Sequence, residues 1–448
     1  MRGAALLRKA WRGFCRGVVA VFYRHCEVSG AELLPAEGPL LLCANHANAL
    51  ADAVILQAMI PRHIQPLARS GLFEHVLLRP QLVAMRAIPV YRRQDAGSDT
   101  RQNSASFARV YEEFDRGAVV LIFPEGQSHS DPHLRELRTG AARIALGAKQ
   151  AQAAPLIVPV GLNFTNKGRF RSDVLVKIGE PVDLSAFSSP DNEDEVRTLT
   201  ARIREALEAV TLNAESHEEL ALAQSLERFF AFRHGKYRQR SMDLRFRALK
   251  KITRAYQDLR EQAPERLEAL CLHLRQFERL CRYWGVRDYQ LSIRYRPSVV
   301  TRFLIRSLLI LFVLLPLALW GTLNSWLPYR LTEFYARRIA HGHDQYDTAR
   351  ILVGLLLFGL FWGGQVTLVY LYLGTTAAVL YAISLPITAA TALLFKRDRY
   401  RIWDNLRVFF TFIRRRKLRP YLKARRQRLE RELAELLRLA RRRLSERS

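Results

Sequence analysis

The first half of the chain alternates short apolar runs with longer stretches of mixed polarity. Between residues 31 and 185 the runs "GPLLLCA" (38–44), "MRAIPVY" (85–91), "GAVVLIF" (117–123), "PLIVPVGL" (155–162) and "DVLVKIGE" (173–180) read as strands, most of them buried on both faces. Strands separated by helix-length segments are the rhythm of an α/β domain. Phe107, Val110, Tyr111 and Phe114 fall at helical spacing and Gly117 follows as a C-terminal cap, which predicts a helix covering one sheet face.

Beyond residue 190 the pattern changes. From about 191 to 285 no strand-like run appears, and charged helical stretches follow Pro190-Asp191-Asn192 and the Ala263-Pro264 break. This predicts a helical extension over 191–300 with a solvated face. Then "FLIRSLLILFVLLPLALWGTLNSWL" (303–327) and the stretch 351–395 are too long and too apolar for soluble helices and read as membrane segments. The second has room for two spans of roughly 20 residues each, joined near Gly374-Thr375-Thr376. The first carries Arg306 and Pro316, and its apolar core from Ser307 to Gly321 is short, so a non-crossing hairpin is the alternative to a third span.

At the N-terminus, Arg8, Lys9, Arg12 and Arg16 interrupt any signal-like core. Leu6, Leu7, Trp11, Phe14, Val18 and Val21 lie mostly on one helical face, which suits a basic amphipathic helix on a membrane surface; an ordinary helix packed on the domain is the alternative. The expected divisions are therefore a surface helix (1–24), an α/β domain (25–190), the helical extension (191–300), two or three hydrophobic helices (301–395) and a basic helical tail (396–448).

Charge then narrows the choice of partner. The 448 residues hold 70 Lys and Arg against 42 Asp and Glu, a net charge of +28 that calls for an anionic partner, nucleic acid or lipid. The tail alone has 20 Lys and Arg against 6 Asp and Glu, half of that excess, and it directly follows a membrane segment. Anionic lipid, not nucleic acid, is the simpler partner, and such a tail belongs on the cytoplasmic face. Segment 329–350, with four Arg and three acids, is near neutral. An α/β domain on the same side as the tail requires an even number of crossings, hence two crossings and one non-crossing segment. The five cysteines are odd in number and show no CxxC spacing, which implies neither a disulfide framework nor a zinc site and agrees with a cytosol-facing protein.

Candidate chemistry clusters at the strand ends. If the first strand ends near Ala44 and a helix begins near Ala49 or Leu50, His46 sits in the turn after Asn45, and Asp52 on the helix's first turn can accept from its ring. Such a carboxylate fixes the imidazole tautomer and leaves the other nitrogen free to act as a general base. "VVLIFPEG" runs a buried strand into Pro124, Glu125 and Gly126, "RAIPVYRR" delivers Arg92 and Arg93, cations suited to a phosphate, and "IVPVGLNF" carries Pro159 and Gly161, for which a plain strand is a sufficient account.

In this order "NHANALAD", "AIPVYR", "FPEG" and "VPVG" resemble the glycerolipid acyltransferase family, the PlsC-like enzymes that move an acyl chain from a thioester to a glycerol phosphate hydroxyl; the resemblance covers about residues 25–187. It implies the fold class: α/β, a mixed, largely parallel sheet flanked by helices, here followed by a helical extension and C-terminal transmembrane helices. Two departures are informative. His46 and Asp52 have five residues between them where the commonest family motif has four, and Ser128 stands where an arginine usually follows "FPEG". Both departures, and "LRTGAARIALGAK" downstream, look like the fungal-type glycerol-3-phosphate and dihydroxyacetone-phosphate acyltransferases.

The resemblance implies a general-base dyad of His46 and Asp52, glycerol-end contacts from Glu125 and Gly126, and phosphate contacts from Arg92, helped by Arg93 or Arg138. The acceptor it implies is glycerol-3-phosphate, with a lysophosphatidate or other lysophospholipid as the runner-up; the donor is an acyl-CoA or an acyl-acyl-carrier-protein. A non-catalytic lipid-binding scaffold is the reading from another class. Acyl transfer from a thioester needs no cofactor or metal. "HSDPH" (His129, Asp131, His133) and "HGHDQYD" (His341, His343, Asp344, Asp347) have no recognised ligand framework and are expected to be solvated loops.

Overall fold

The computed structural model describes residues 2–76, 78–91, 103–233, 241–291, 297–340, 342 and 344–445. These divide into two compact units, the first built from 1–217, 241–246 and 334–353, the second from 218–240, 247–333 and 354–448.

The first unit holds a seven-stranded sheet of β1 (Tyr23–Ser29), β2 (Leu40–Ala44), β3 (Ile64–Arg69), β4 (Ile88–Val90), β5 (Val119–Ile122), β6 (Leu156–Phe164) and β7 (Ser172–Ile178), in the spatial order β1-β7-β6-β2-β5-β3-β4. The five strands β6, β2, β5, β3 and β4 run parallel; β7 joins β6 antiparallel, and β1 lies outside β7 and parallel to it. It is the α/β sheet expected from the strand rhythm, mixed and largely parallel as the family resemblance implies.

Side-chain alternation in β2 shows why its run is uniformly apolar. Leu40, Leu42 and Ala44 enter one core together with Cys15, Val18 and Val19 of helix α1 (Arg2–Phe22) and Ile55 and Leu56 of helix α2 (Leu50–Met59). Leu41 and Cys43 enter the core on the other face, with Val110 and Phe114 of α4 (Asn103–Asp115), Ala142 and Leu146 of α5 (Gly140–Gln150), and Leu199 and Ile203 of α6 (Glu193–Val210). A strand covered on both faces has no polar position to alternate with. Burying each leucine contributes about 1.5–3 kcal/mol, so this strand anchors both cores and carries the turn that follows it.

Two strands are not legible as apolar runs. β1 reads "YRHCEVS" and is an edge strand with exposed positions, while β3 reads "IQPLAR", where Gln65 is buried and donates from Nε2 to Glu113 Oε2 at 2.7 Å. The run 85–91 shrinks to three residues of strand because Met85 closes helix α3 (Arg79–Ala84) and Arg86 takes a positive φ of 54°. The N-terminal helix divides its apolar residues: Val18, with Cys15 and Val19, is buried, and Trp11 packs against the core, whereas Leu6, Leu7, Phe14 and Val21 are exposed. Arg12 and Arg16 donate to the carbonyls of Pro61 and Ala58, so α1 caps the end of α2. Helix α6, inside the expected extension, belongs to the first unit and packs on the sheet.

The second unit is helical: α7 (His217–Arg233), most of α8 (Met242–Gln262), α9 (Pro264–Tyr283), the short α10 (Asp288–Leu291), and the larger parts of α11 (Pro297–Ile339) and α12 (Tyr346–Arg414), with α13 (Leu418–Ser445) last. The basic α13 is more than a headgroup-binding tail, because Leu422, Leu429, Leu433 and Leu436 form a core with Leu267, Leu270, Leu274 and Phe277 of α9.

The segments Ile310–Ile339 and Tyr346–Lys396 are long and apolar enough to cross a membrane, with mean hydropathies of 1.7 and 2.0, and 17% of each apolar window is buried. Helices so exposed are not the core of a soluble fold, and the chain is membrane-associated. At 1.5 Å per residue, the 51 residues of Tyr346–Lys396 would span roughly 76 Å as one rod, far more than a bilayer. Gly374, at φ 82° and ψ 179°, breaks the rod into two. α11 stays helical through Pro316 and Pro328. Polar groups tie these helices together: Tyr381 donates to Asn324 Oδ1 at 2.6 Å and Gln365 Nε2 to the Asn324 carbonyl at 3.2 Å. A Cβ on Gly321 would lie 2.1 Å from the Thr388 carbonyl oxygen, so glycine there permits close helix approach.

Candidate active site

The parallel strands end along one sheet edge, where ligands of α/β sheets collect. Asn45 closes the end of β2 by mimicking a strand: its Oδ1 accepts from the Leu162 N–H at 2.7 Å and its Nδ2 donates to the Leu162 carbonyl at 3.2 Å. The chain then turns through His46, Ala47, Asn48 and Ala49 into α2. Ala49 takes φ 47° and ψ −132°, a conformation a residue with a Cβ rarely adopts.

That turn puts His46 Nδ1 3.0 Å from Asp52 Oδ2. The same oxygen accepts the N–H groups of Ala47 at 2.8 Å and Asn48 at 2.7 Å, and Asp52 is fully buried. The carboxylate is therefore fixed by backbone before it meets the imidazole. The His46 ring stacks on Phe123, centroid to centroid 3.9 Å, and its side chain keeps 18% of its exposure. With Nδ1 turned to Asp52, Nε2 makes no hydrogen bond among the described residues.

Glu125 lies across the turn. Its Oε1 accepts the His46 N–H at 2.8 Å, and its Oε2 accepts the Arg135 N–H at 3.0 Å and the ring of His129. His129 Nδ1 accepts the Asp131 N–H, so the proton sits on Nε2, aimed at Glu125. Burial alone would raise the Glu125 pKa, but these hydrogen bonds outweigh it and hold the carboxyl below its usual range. Glu125 thus braces the His46 backbone from inside the protein. Gly126 has φ 76°, and a Cβ there would lie 3.4 Å from Cγ of Arg138, an exposed side chain at the site's rim. His129 is buried, in contrast to the solvated loop expected for "HSDPH", because it serves Glu125; Asp131 is half-buried and pairs with Arg135, and His133 is exposed.

Arg92 and Arg93 lie outside the described residues. The strand that leads to them is seen as far as Tyr91, whose N–H and carbonyl both bond the Asn103 side chain, at 2.9 and 2.7 Å. Gly161 of "VPVG" has an architectural reason: a Cβ there would lie 2.0 Å from the Val210 carbonyl at the end of α6.

Two features at this edge have no motif to announce them. Lys167, in the turn after β6, is half-buried and makes no hydrogen bond or ion pair among the described residues. Burial lowers its pKa, and the fields of Asp52, Glu125, Asp344 and Asp131 oppose that, which marks its ammonium as the cation facing this acidic group. The second feature is "HGHDQYD". His341 and His343 lie outside the described residues, but Asp347 is buried and accepts from Asn48 Nδ2 at 2.7 Å, and Asp344 accepts from Ser128. This is not the solvated loop expected: its acids are satisfied by the turns of the site. Among the described residues no group of three or more His, Cys, Asp or Glu could hold a metal ion.

Residues 25–163 match the Acyltransferase family. The matched residues form an acyltransferase domain, on the sheet whose β2 and β5 ends bear His46, Asp52 and Glu125. Two of the relatives the domain resembles are fungal glycerol-3-phosphate O-acyltransferases. Glycerol-3-phosphate O-acyltransferase 1 of Saccharomyces cerevisiae is 32% identical over 135 residues, 28% of this chain and 18% of the relative, and its second isoform is 31% identical over 134 residues, 29% and 18%. An uncharacterised acyltransferase of Schizosaccharomyces pombe is 25% identical over 261 residues, 56% of this chain and 36% of the relative. The chain thus spans about a fifth to a third of the length of these proteins. The crystal structure of the lysophosphatidate acyltransferase PlsC of Thermotoga maritima matches with a TM-score of 0.36 and 20% identity, over 47% of this chain and 81% of that one.

Proposed function

We propose that the protein is a membrane-bound O-acyltransferase that moves a fatty acyl chain from an acyl thioester to glycerol-3-phosphate, with His46 as general base and Asp52 as its partner. The observation that carries this reading is the dyad itself: Nδ1 of His46 is 3.0 Å from a carboxylate oxygen already held by two backbone N–H groups, while Nε2 makes no hydrogen bond among the described residues. In the reaction Nε2 takes the hydroxyl proton as the oxygen attacks the thioester carbonyl. The new C–O bond forms, the C–S bond breaks, and the imidazolium returns its proton to the departing thiolate. Asp52 stabilises the imidazolium in between.

The acceptor phosphate is assigned to Arg92, with Arg93 and Arg138 as the resemblance implies, and to Lys167 on the grounds of its position. Of the two residues the resemblance assigns to the glycerol end, Gly126 is available for it, while Glu125, buried and bonded to protein by both oxygens, acts from behind by bracing His46. The donor is an acyl-CoA or an acyl-acyl-carrier-protein; the exposed apolar residues of α1 and of the long helices suit lipid hydrocarbon, and the excess of Lys and Arg suits anionic lipid headgroups. Two crossings and one non-crossing segment put the acyltransferase domain and the basic tail on the cytoplasmic face; cysteine accessibility placing residue 448 opposite residue 200 would overturn this topology.

The test is thioester consumption by membranes containing the protein, with glycerol-3-phosphate and lysophosphatidate as competing acceptors. Replacing His46 by Ala should cost about 10²- to 10⁴-fold in turnover on glycerol-3-phosphate. Histidine-dependent turnover confined to lysophosphatidate would reassign the acceptor, and turnover unchanged in His46→Ala would leave a scaffold.

A further inference from the structure

The segment between the two long apolar helices reaches the active-site turn without touching the dyad. Thr348 bridges both sides of the strained Ala49: its Oγ1 donates to the Asn48 carbonyl at 3.1 Å and accepts the Ala51 N–H at 3.1 Å. Asp347 takes Asn48 Nδ2 at 2.7 Å, and Asn48 is fully buried. Asp347 is in turn held by Arg350 at 3.4 Å and by the Gly168 N–H at 3.4 Å, while Arg350 donates to the Gly168 carbonyl at 3.1 Å. A backbone conformation such as that of Ala49 persists only where its surroundings over-determine it, and here the Thr348 hydroxyl and the Asp347 carboxylate add to the turn's own bonds, Ala51 N–H to the Asn48 carbonyl at 3.1 Å and Asp52 N–H to the Ala49 carbonyl at 3.2 Å.

We propose that Asp347 and Thr348 are positioning residues for acyl transfer: they hold the Asn48–Ala49 turn so that the N–H groups of Ala47 and Asn48 keep Asp52 fixed behind His46. The inference rests on the general-base reading above and goes beyond it, because neither residue belongs to a motif of the acyltransferase domain. The polar contacts of Asp347 and Thr348 go to the turn, while Ile351 supplies the segment's contact with the core beneath it. Ile55 and Leu56 of α2 are fully buried in a core that is closed without the Thr348 hydroxyl. Losing that hydroxyl therefore frees the turn while the domain stays folded. A misplaced catalytic group lowers the rate of the chemical step more than it lowers substrate binding.

The experiment compares Thr348→Val, which keeps the shape and removes the hydroxyl, with Thr348→Ser, which keeps the hydroxyl. Three readouts are taken on full-length protein in membranes: kcat and KM for thioester consumption with glycerol-3-phosphate, the thermal midpoint, and the rate of carbethoxylation of His46 by diethyl pyrocarbonate, read by peptide mass. Thr348→Val should lower kcat by about 10- to 100-fold, with both KM values within about twofold of the parent. It should also alter the His46 modification rate. Thr348→Ser should recover most of the loss in kcat and restore the modification rate. A Thr348→Val protein with parental kcat and parental His46 reactivity overturns the proposal. So does an equal loss in both variants accompanied by a lowered thermal midpoint, which would make the segment plain scaffold. If the parent shows no histidine-dependent turnover, the acyl-transfer reading fails, and the carbethoxylation arm alone decides whether Thr348 controls His46.

Discussion

Substituting Asp52 by Asn separates the charge of this residue from its architecture. Oδ2 receives all three hydrogen bonds, from His46 Nδ1, the Ala47 N–H and the Asn48 N–H, while Oδ1 is buried with no partner among the described residues. An asparagine that puts its carbonyl oxygen at the Oδ2 position keeps the three existing donors satisfied and still dictates the tautomer of His46, but sets its own NH2 in the buried Oδ1 position, where no acceptor lies among the described residues. What is lost is the negative charge. The carboxylate oxygen is 3.0 Å from Nδ1; with the imidazolium charge spread over the ring, the effective separation is about 4 Å, worth about 4 kcal/mol at an effective dielectric of 20. At 1.36 kcal/mol per decade this is a loss of about 10³ in kcat. Folding suffers as well: three bonds to an anion become neutral bonds of roughly half the strength, about 2–4 kcal/mol together, so stability is read beside turnover. Asp52→Ala, by contrast, orphans two buried backbone N–H groups and should unfold the turn. The assay is thiol release from an acyl thioester in membranes, with a thermal midpoint measured on the same preparations. Turnover by Asp52→Asn within about tenfold of the parent, with His46→Ala inactive, would refute the reasoning and leave Asp52 as an anchor of the turn alone.

Four further outcomes are expected. Lys167→Met should raise KM for glycerol-3-phosphate by about tenfold or more with kcat little changed, since a charge-assisted contact to phosphate is worth about 1.5–3 kcal/mol; an unaltered KM removes Lys167 from the phosphate site. Gly161→Ala would set a Cβ 2.0 Å from the Val210 carbonyl, and the backbone shift this forces costs about 3 kcal/mol, so the variant should accumulate poorly whatever the substrate. Gly126→Ala has space but the wrong φ of 76°, and thermal unfolding should register a loss of about 1 kcal/mol. Burial, together with the charges of Arg8 and Arg86, lowers the His63 pKa from 6.5 to about 4. The unfolded chain therefore binds the extra proton first, and stability that is complete above pH 6.5 is lost as pH falls toward 4. Denaturant midpoints of His63→Gln between pH 6.5 and 4.5 should decline less steeply than those of the parent.

The parts of this molecule that were legible in the sequence are those set by local pattern. β2, β5, β6 and β7 are apolar because both sheet faces are covered, and the turn from Asn45 to Asp52 joins a strand to a helix where the apolar run stops. The strands that escaped have tertiary reasons for their composition. β3 tolerates Gln65 because Glu113 of α4 receives it, and β1 tolerates polar residues because it forms an edge. His129 reads as one of several polar loop residues until Glu125 is seen to need its proton. Lys167, Asp347 and Thr348 follow no spacing rule, because their relation to His46 is made by the return of the chain, about 120 to 300 residues away in sequence. Gly161 was legible as part of a motif, yet its reason, the Val210 carbonyl, lies in a helix 49 residues further on.

The unit that holds the dyad is interleaved along the chain, taking residues 1–217, 241–246 and 334–353. Its order of synthesis is consequently not its order in space. When the ribosome has made the sheet and α6, the turn at Ala49 still lacks Thr348, and Asn48 still lacks Asp347. Those residues emerge only after the whole of α11 has been translated. A fragment cut at the end of the family match, or anywhere before residue 344, would hold His46 and Asp52 in a turn with one side unfastened. The nascent chain is in the same condition, so the fastening of this turn is delayed until α11 and the segment after it have been made.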